Sequence, residues 1–163
     1  MNSKQAIQAS MDMSLMVFNT YLSDLSDADL MVRPGPGCNH TAWQLGHLIA
    51  AEVALLNDVC PGAGAQLPAG FAEKHAKDKA GSDDAGQFHT KQEYLDLFAK
   101  VRAATLAALA ALPEARLDEP GPERFRQMFP TVGQMLVLIG THPMMHAGQI
   151  AVVRRKLGKP VLI

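Results

Sequence analysis

Three features of the chain predict an all-α four-helix bundle with long crossover connections. Apolar residues recur at three- and four-residue spacing in four long segments. Three of those segments open on a threonine followed three residues later by Glu or Gln, the pattern of a capping box. No stretch alternates apolar and polar residues with the period of two that a half-buried strand shows. The 163 residues suit a single domain, 1–163, around one core.

The first helix is expected over 3–22, where Ile7, Met11, Phe18, Tyr21 and Leu22 share a face, Ser14 fills a gap in it and Ser3 is the cap. Ser26 opens a short turn over "SDADL", 26–30. The second helix, 41–59, starts with Thr41 and Gln44 and stops at Pro61 and Gly62. The third, 90–112, starts with Thr90 and Glu93. It carries an inward stripe of Tyr94, Leu97, Phe98, Val101, Leu109 and Leu112 and ends at Pro113. The fourth, 131–157, starts with Thr131 and Gln134 and ends before Gly158 and Pro160. Connection 60–89 contains one or two turns at "FAEKHAK", and connection 113–130 contains a turn at 122–128. Connections of this length let neighbouring helices run parallel as well as antiparallel.

Composition excludes several roles. A net charge of −1 supplies no field for nucleic acid or an anionic membrane. The cluster Arg154, Arg155, Lys156 and Lys159 complements the negative end of the last helix. No apolar run approaches the roughly 18 residues of a membrane span, and the longest candidate, "LIAAEVALL", carries Glu52. The N-terminus lacks the apolar core of a secretory signal. Cys38 and Cys60 stand alone, without CxxC spacing, as expected of a cytoplasmic chain with reduced thiols.

The chemistry concentrates in "HPMMH". At about 100° per residue, His146 falls about 20° and His142 about 60° from Ile139, on the apolar stripe of the fourth helix. Unpaired imidazoles there would cost roughly 1–3 kcal/mol each. Histidines at i and i+4 can aim ring nitrogens at one point, the geometry that HExxH helices use for zinc. Pro143 stands where HExxH has its glutamate, so a protease general base is missing. A third donor is available in "WQLGH": His47 points inward on a face with the small residues Ala51 and Ala54. Three histidines from two helices would leave a coordination position for water or substrate. The alternative is a set of hydrogen-bonded core histidines without metal. His40, ahead of the Thr41 cap, and His75 and His89, in the long connection, are weaker candidates.

"WQLGH" (43–47), "TVGQML" (131–136) and "HPMMHAGQI" (142–150) resemble the DinB-like family, named for DNA-damage-inducible proteins. The resemblance runs over nearly the whole chain; its diagnostic part is one histidine in the second helix and HxxxH followed by xGQ in the fourth. It implies an up-down-down-up four-helix bundle, often a homodimer, with a divalent metal on His47, His142 and His146. It also implies metal-dependent thiol transfer using a low-molecular-weight thiol, although many members have no established activity, and it does not imply DNA binding.

Pro143 is not part of that pattern. It removes an amide and crowds the carbonyl of Ile139, at about 3 kcal/mol in a helix interior. A kink that keeps both imidazoles converging is expected over a break that starts a new segment at Pro143.

Three neutral imidazoles suit Zn, Ni, Cu or Fe, with zinc first by availability and nickel next. Such an ion would activate a thiol or water toward a small electrophile. A non-catalytic metal-binding or interaction bundle is the alternative, and no general acid or base stands out. Gln149 is expected to bridge helices or support the site, Glu52 to be solvated or paired, Trp43 to be core and Gln44 to serve the cap. The nine methionines, Met144 and Met145 included, are expected to fill gaps in the bundle. The Asp83–Asp84 pair lies in a loop without supporting spacing.

Overall fold

The expected periodicity becomes four long helices, in a computed structural model that describes all 163 residues. The chain is all-helical: α1 (Ser3–Leu22), α2 (Asp27–Leu30), α3 (Thr41–Val59), α4 (Phe71–Lys74), α5 (Lys91–Ala111) and α6 (Val132–Lys156), with four short 3₁₀ turns. No strand forms; one isolated bridge joins Pro120 to Thr131.

The caps follow the sequence at three of five sites. Ser26, Thr90 and Thr131 cap α2, α5 and α6, each within a capping box. For α1 the cap is Asn2 with Gln5 rather than Ser3. At α3 the cap is His40, whose imidazole accepts the Trp43 amide, and no Thr41–Gln44 box forms. The end of α6 is a Schellman motif. Gly158 adopts φ +70°, its amide bonds to Arg155 O, and the Lys159 amide reaches Arg154 O.

The long helices pack as α1 on α6, α6 on α3, α3 on α5 and α5 back on α1. Their ends are tied. Lys4 Nζ donates to the carbonyls of Ala110 and Leu112, while Lys91 Nζ donates to those of Leu22 and Leu25. Arg154 is fully buried and joins the far ends of α1 and α6. It donates to Tyr21 O at 2.8 Å, Pro160 O at 2.7 Å and the Asp24 carboxylate. The Arg154 hydrogen bond holds the Asp24 carboxyl down to about 2. Arg154 is therefore an interior tie, and only Arg155 and Lys156, both exposed, are left to the helix dipole.

Two apolar clusters fill the interior. One includes Phe18, Leu22, Leu45, Leu48, Phe98 and Ile150; the other Ile7, Met11, Leu56, Leu109, Met135 and Ile139. Each long helix passes between them across polar residues: Ser14 on α1, Glu52 on α3, Arg102 and Thr105 on α5, and His142 and His146 on α6. Glu52 is buried and takes Arg102 Nη2 at 2.8 Å and Thr105 Oγ1 at 2.7 Å. Burial raises its carboxyl pKa, against the pull of Arg102 and Thr105. The methionines divide: Met11 and Met135 fill the core, whereas Met1, Met13, Met16, Met128 and Met145 are exposed.

By length and composition α6 could cross a membrane, a possibility that its interrupted sequence conceals. Half of its most apolar window is buried in the bundle, as in the core helix of a globular protein.

Replacing Arg102 by Leu should leave the Glu52 carboxylate buried and unpaired, costing about 3–5 kcal/mol. The double variant with Glu52→Leu should recover most of that loss. Urea denaturation of the two variants measures both quantities.

Candidate metal centre

The ring nitrogens of His47 on α3 and of His142 and His146 on α6 converge, with one ligand atom from each lying within 4.8 Å of the others. Ring centroids are 5.5 Å apart for His47–His142, 5.6 Å for His47–His146 and 5.0 Å for His142–His146. The helix α6 runs unbroken through Pro143, so the break, the less expected of the two outcomes, does not occur and His142 stays with its partners. Its neighbour Thr141 bonds back to Val137 O at 2.8 Å.

The three rings are largely withdrawn from solvent. His146 is buried, and His47 and His142 are partly so. Burial, then the neighbouring His142 and His47, pushes His146 down to about 3. Burial and His47 bring His142 to about 4. Burial and Lys77 lower His47. All three imidazoles are therefore neutral near pH 7, the state in which they can ligate. A tetrahedral ion with nitrogens at about 2.0–2.1 Å spaces them roughly 3.4 Å apart, so small ring rotations would close the triad. The arrangement is compatible with a divalent metal.

The surroundings hold the rings from behind. Trp43 stacks on His47, with centroids 4.8 Å apart and planes 8° from parallel. Its indole Nε1 donates to Ala76 O at 3.2 Å, so it is a support for His47 as well as core. Gln44, 1% exposed, contacts His146 Nδ1 through Oε1 at 2.9 Å and donates from Nε2 to Asn39 O at 3.0 Å. Its expected capping task passes to His40, leaving the buried Thr41 hydroxyl without a partner.

A second cluster, around a histidine of the long connection, backs the first. His75 is buried, with Nδ1 2.8 Å from Phe71 O and Nε2 2.7 Å from Tyr94 Oη. Phe71 O can only accept, so Nδ1 carries the proton and Nε2 accepts from the tyrosine hydroxyl. Burial lowers the His75 pKa and raises that of Tyr94. The His75 ring lies where a Cβ on Gly46 would be, 2.0 Å from its Cδ2. The glycine of "WQLGH" thus lets connection 60–90 press against α3 one residue before His47. The detectable signal was a lone glycine inside a helical pattern.

Other candidates do not join the triad. His40 packs elsewhere, with Nε2 3.0 Å from Ser82 O. His89 lies against Phe71 and Tyr94. Glu52 is committed to Arg102 and Thr105. Gln149 bridges no helices; it is exposed and lines a cavity of about 250 Å³ with Cys38, Asn39, Gln44 and Val152. Asp83 pairs with Arg33, and Asp84 caps the turn at Gly86. Both cysteines are free.

A family model described as the DinB superfamily matches residues 11–150. Among solved structures, the crystal structure of a conserved protein from Enterococcus faecalis is similar, with a TM-score of 0.73 at 19% identity over 98% of this chain and 99% of that one. No curated protein matches.

Two outcomes follow from this geometry. Gly46→Ala should overpack the His75 ring and cost about 1–3 kcal/mol, a loss that His75→Ala in the same chain should partly relieve; thermal melts of the single and double variants measure it. The depressed pKa values of His142 and His146 mean that the unfolded chain, near 6.5, binds more protons than the folded one below that pH. Metal-free protein should therefore lose stability as pH falls from about 6.5 toward 4, and His142→Gln with His146→Gln should flatten that slope, read as melting temperature against pH in chelator.

Proposed function

The chain belongs to the DinB superfamily, and we propose that His47, His142 and His146 hold a divalent transition metal, zinc first by availability and nickel next. We further propose that the protein uses it as a metal-dependent enzyme of the thiol S-transferase type, activating a thiol or water toward a small electrophile. The observation that carries this reading is the convergence of three neutral imidazole donors, from two helices, within 4.8 Å. Three protein ligands leave a fourth position for a small-molecule substrate, such as a low-molecular-weight thiol.

A bound ion would supply Lewis acidity, drawing the pKa of a thiol or water beside it toward neutrality. The chain's own residues do the rest. Trp43 holds the plane of His47, Gln44 holds His146, and burial keeps both rings uncharged. One observation favours a non-catalytic metal-binding or interaction bundle: no carboxylate joins the histidine cluster to act as acid or base.

The same reading gives the long helices the up-down-down-up order. It is supported by the ties between Lys4 and the end of α5, Lys91 and the end of α1, Arg154 and Tyr21, and Gln44 and His146. A homodimer is proposed from the exposed Met13 and Met16 on α1 and Val137, Met145 and Val152 on α6. The free cysteines support a cytoplasmic setting. The net charge of −1 supports a role without nucleic acid or membrane.

Protein purified without a His tag or added metal should contain near-stoichiometric metal. Less than roughly a tenth of an equivalent, with no uptake of Zn or Ni, would overturn the metal reading. His146→Ala should abolish retention, and Pro143→Ala should preserve it. Turnover across a panel of thiols and electrophiles supports the enzyme; retained metal without turnover supports the alternative.

A further inference from the structure

We infer that Gln44 is a positioning residue: it keeps the proton of His146 on Nδ1 and thereby selects Nε2 as the nitrogen presented to the metal. The inference rests on the three-histidine reading above and adds to it a residue and a proton.

The argument is one of hydrogen-bond bookkeeping. Gln44 offers one carbonyl acceptor and an NH₂ group with two N–H bonds, and it is 1% exposed. Its Nε2 lies 3.0 Å from the carbonyl of Asn39, which can only accept. That contact fixes the amide orientation and turns Oε1 toward His146 Nδ1, 2.9 Å away. A carbonyl oxygen cannot donate, so Nδ1 must carry the hydrogen. A ring that ligates must be neutral, with a single ring hydrogen. Its lone pair therefore sits on Nε2.

A chain Asn39 C=O, Gln44 amide, His146 imidazole results, in which Gln44 Nε2 and His146 Nδ1 each donate to a carbonyl oxygen. Reversing the amide would set NH₂ against an imidazole obliged to accept at Nδ1 and would leave two carbonyl oxygens facing each other at Asn39. Both changes cost a buried hydrogen bond. Metal-ligating histidines commonly give their second nitrogen to such a partner, which fixes ring orientation and raises ligand basicity. The anchor lies in the loop entering α3, where His40 and Arg33 join it to Ser82, Ala80 and Asp83 in connection 60–90. Gln44 thus carries the placement of that loop to the donor atom of His146.

The test begins on metal-free, ¹⁵N-labelled protein near pH 7, where long-range ¹H–¹⁵N correlations report the tautomer of each histidine. Wild-type His146 should be protonated on Nδ1. Gln44→Leu, which cannot accept, should lose that preference and weaken Zn affinity on the order of 10–100-fold, measured by competition with a chromogenic chelator. Gln44→Glu, which loses the Asn39 bond but still accepts, should keep the Nδ1–H form and hold Zn more tightly than Gln44→Leu does. A purely structural role would lower the melting temperature of both variants without changing the tautomer. Nε2–H on wild-type His146 overturns the inference, as does a folded Gln44→Leu with unchanged tautomer or unchanged Zn affinity. Should Gln44→Leu fail to fold, the wild-type and Gln44→Glu spectra decide the matter. Absence of metal uptake by wild type would instead defeat the function proposed above, which separates the two failures.

Discussion

A polar group carried into the middle of a helical bundle must find a partner there, at a cost of roughly 1–3 kcal/mol for each one that does not. This chain carries a whole layer of such groups. Ser14, Glu52, Arg102, Thr105, His142 and His146 interrupt the four helices between two apolar clusters. The pairs that do form constrain how the helices can sit, while Ser14 Oγ and two of the Arg102 nitrogens find no partner. Glu52 binds α3 to α5 through Arg102 and Thr105, and Gln44 binds α3 to α6 through His146. Apolar clusters alone tolerate sliding and repacking, because burial is non-directional. Directional bonds across the layer remove that freedom and hold three imidazoles where they can share a ligand.

Many partners come from backbone carbonyls outside the long helices. Asn39 O serves Gln44, Ala76 O serves Trp43, Ser82 O serves His40, and Phe71 O, in the one-turn helix α4, serves His75. Connection 60–90 is therefore bound to α3 along the turns that carry His47. Its close approach depends on Gly46, where a side chain would strike the His75 ring. Trp43 completes the arrangement, with its face on His47 and its indole nitrogen on Ala76. A long loop normally adds mobility beside a site. Here the loop is part of the wall against which Trp43 and His47 stack.

These dependencies explain what could be read from sequence. The helices, most caps and the inward direction of His47, His142 and His146 follow from local spacing, because i, i+3 and i+4 relations are set by the backbone alone. The role of Gln44 was hidden because Thr41 and Gln44 satisfy the spacing of a capping box. An imidazole cap at His40 lies outside the usual Ser, Thr, Asp and Asn set. Arg154 looked like its neighbours in a basic run, yet burial and Asp24 distinguish it. His75 could not be placed from its position in a loop, since its partners Phe71, Tyr94 and Gly46 meet only after folding. In each case the missing information was tertiary, and the local pattern permitted two partners.

Pro143 shows the same competition resolved against local preference. A proline in a helix interior costs about 3 kcal/mol, because it removes a donor and crowds the preceding turn. Yet α6, 25 residues long, runs through it without a break. The N-terminal end is held by the Thr131–Gln134 box, and the C-terminal end by the Schellman motif and by Arg154 buried against α1. Ile139, Pro143, His146 and Ile150 are all buried on the segment between. Breaking the helix at Pro143 would expose that face and separate His142 from His146, so the tertiary terms outweigh the local one. Local rules are most often overridden where a structure holds a functional geometry. In α6 the residue that least favours a helix sits between the two histidines that need one.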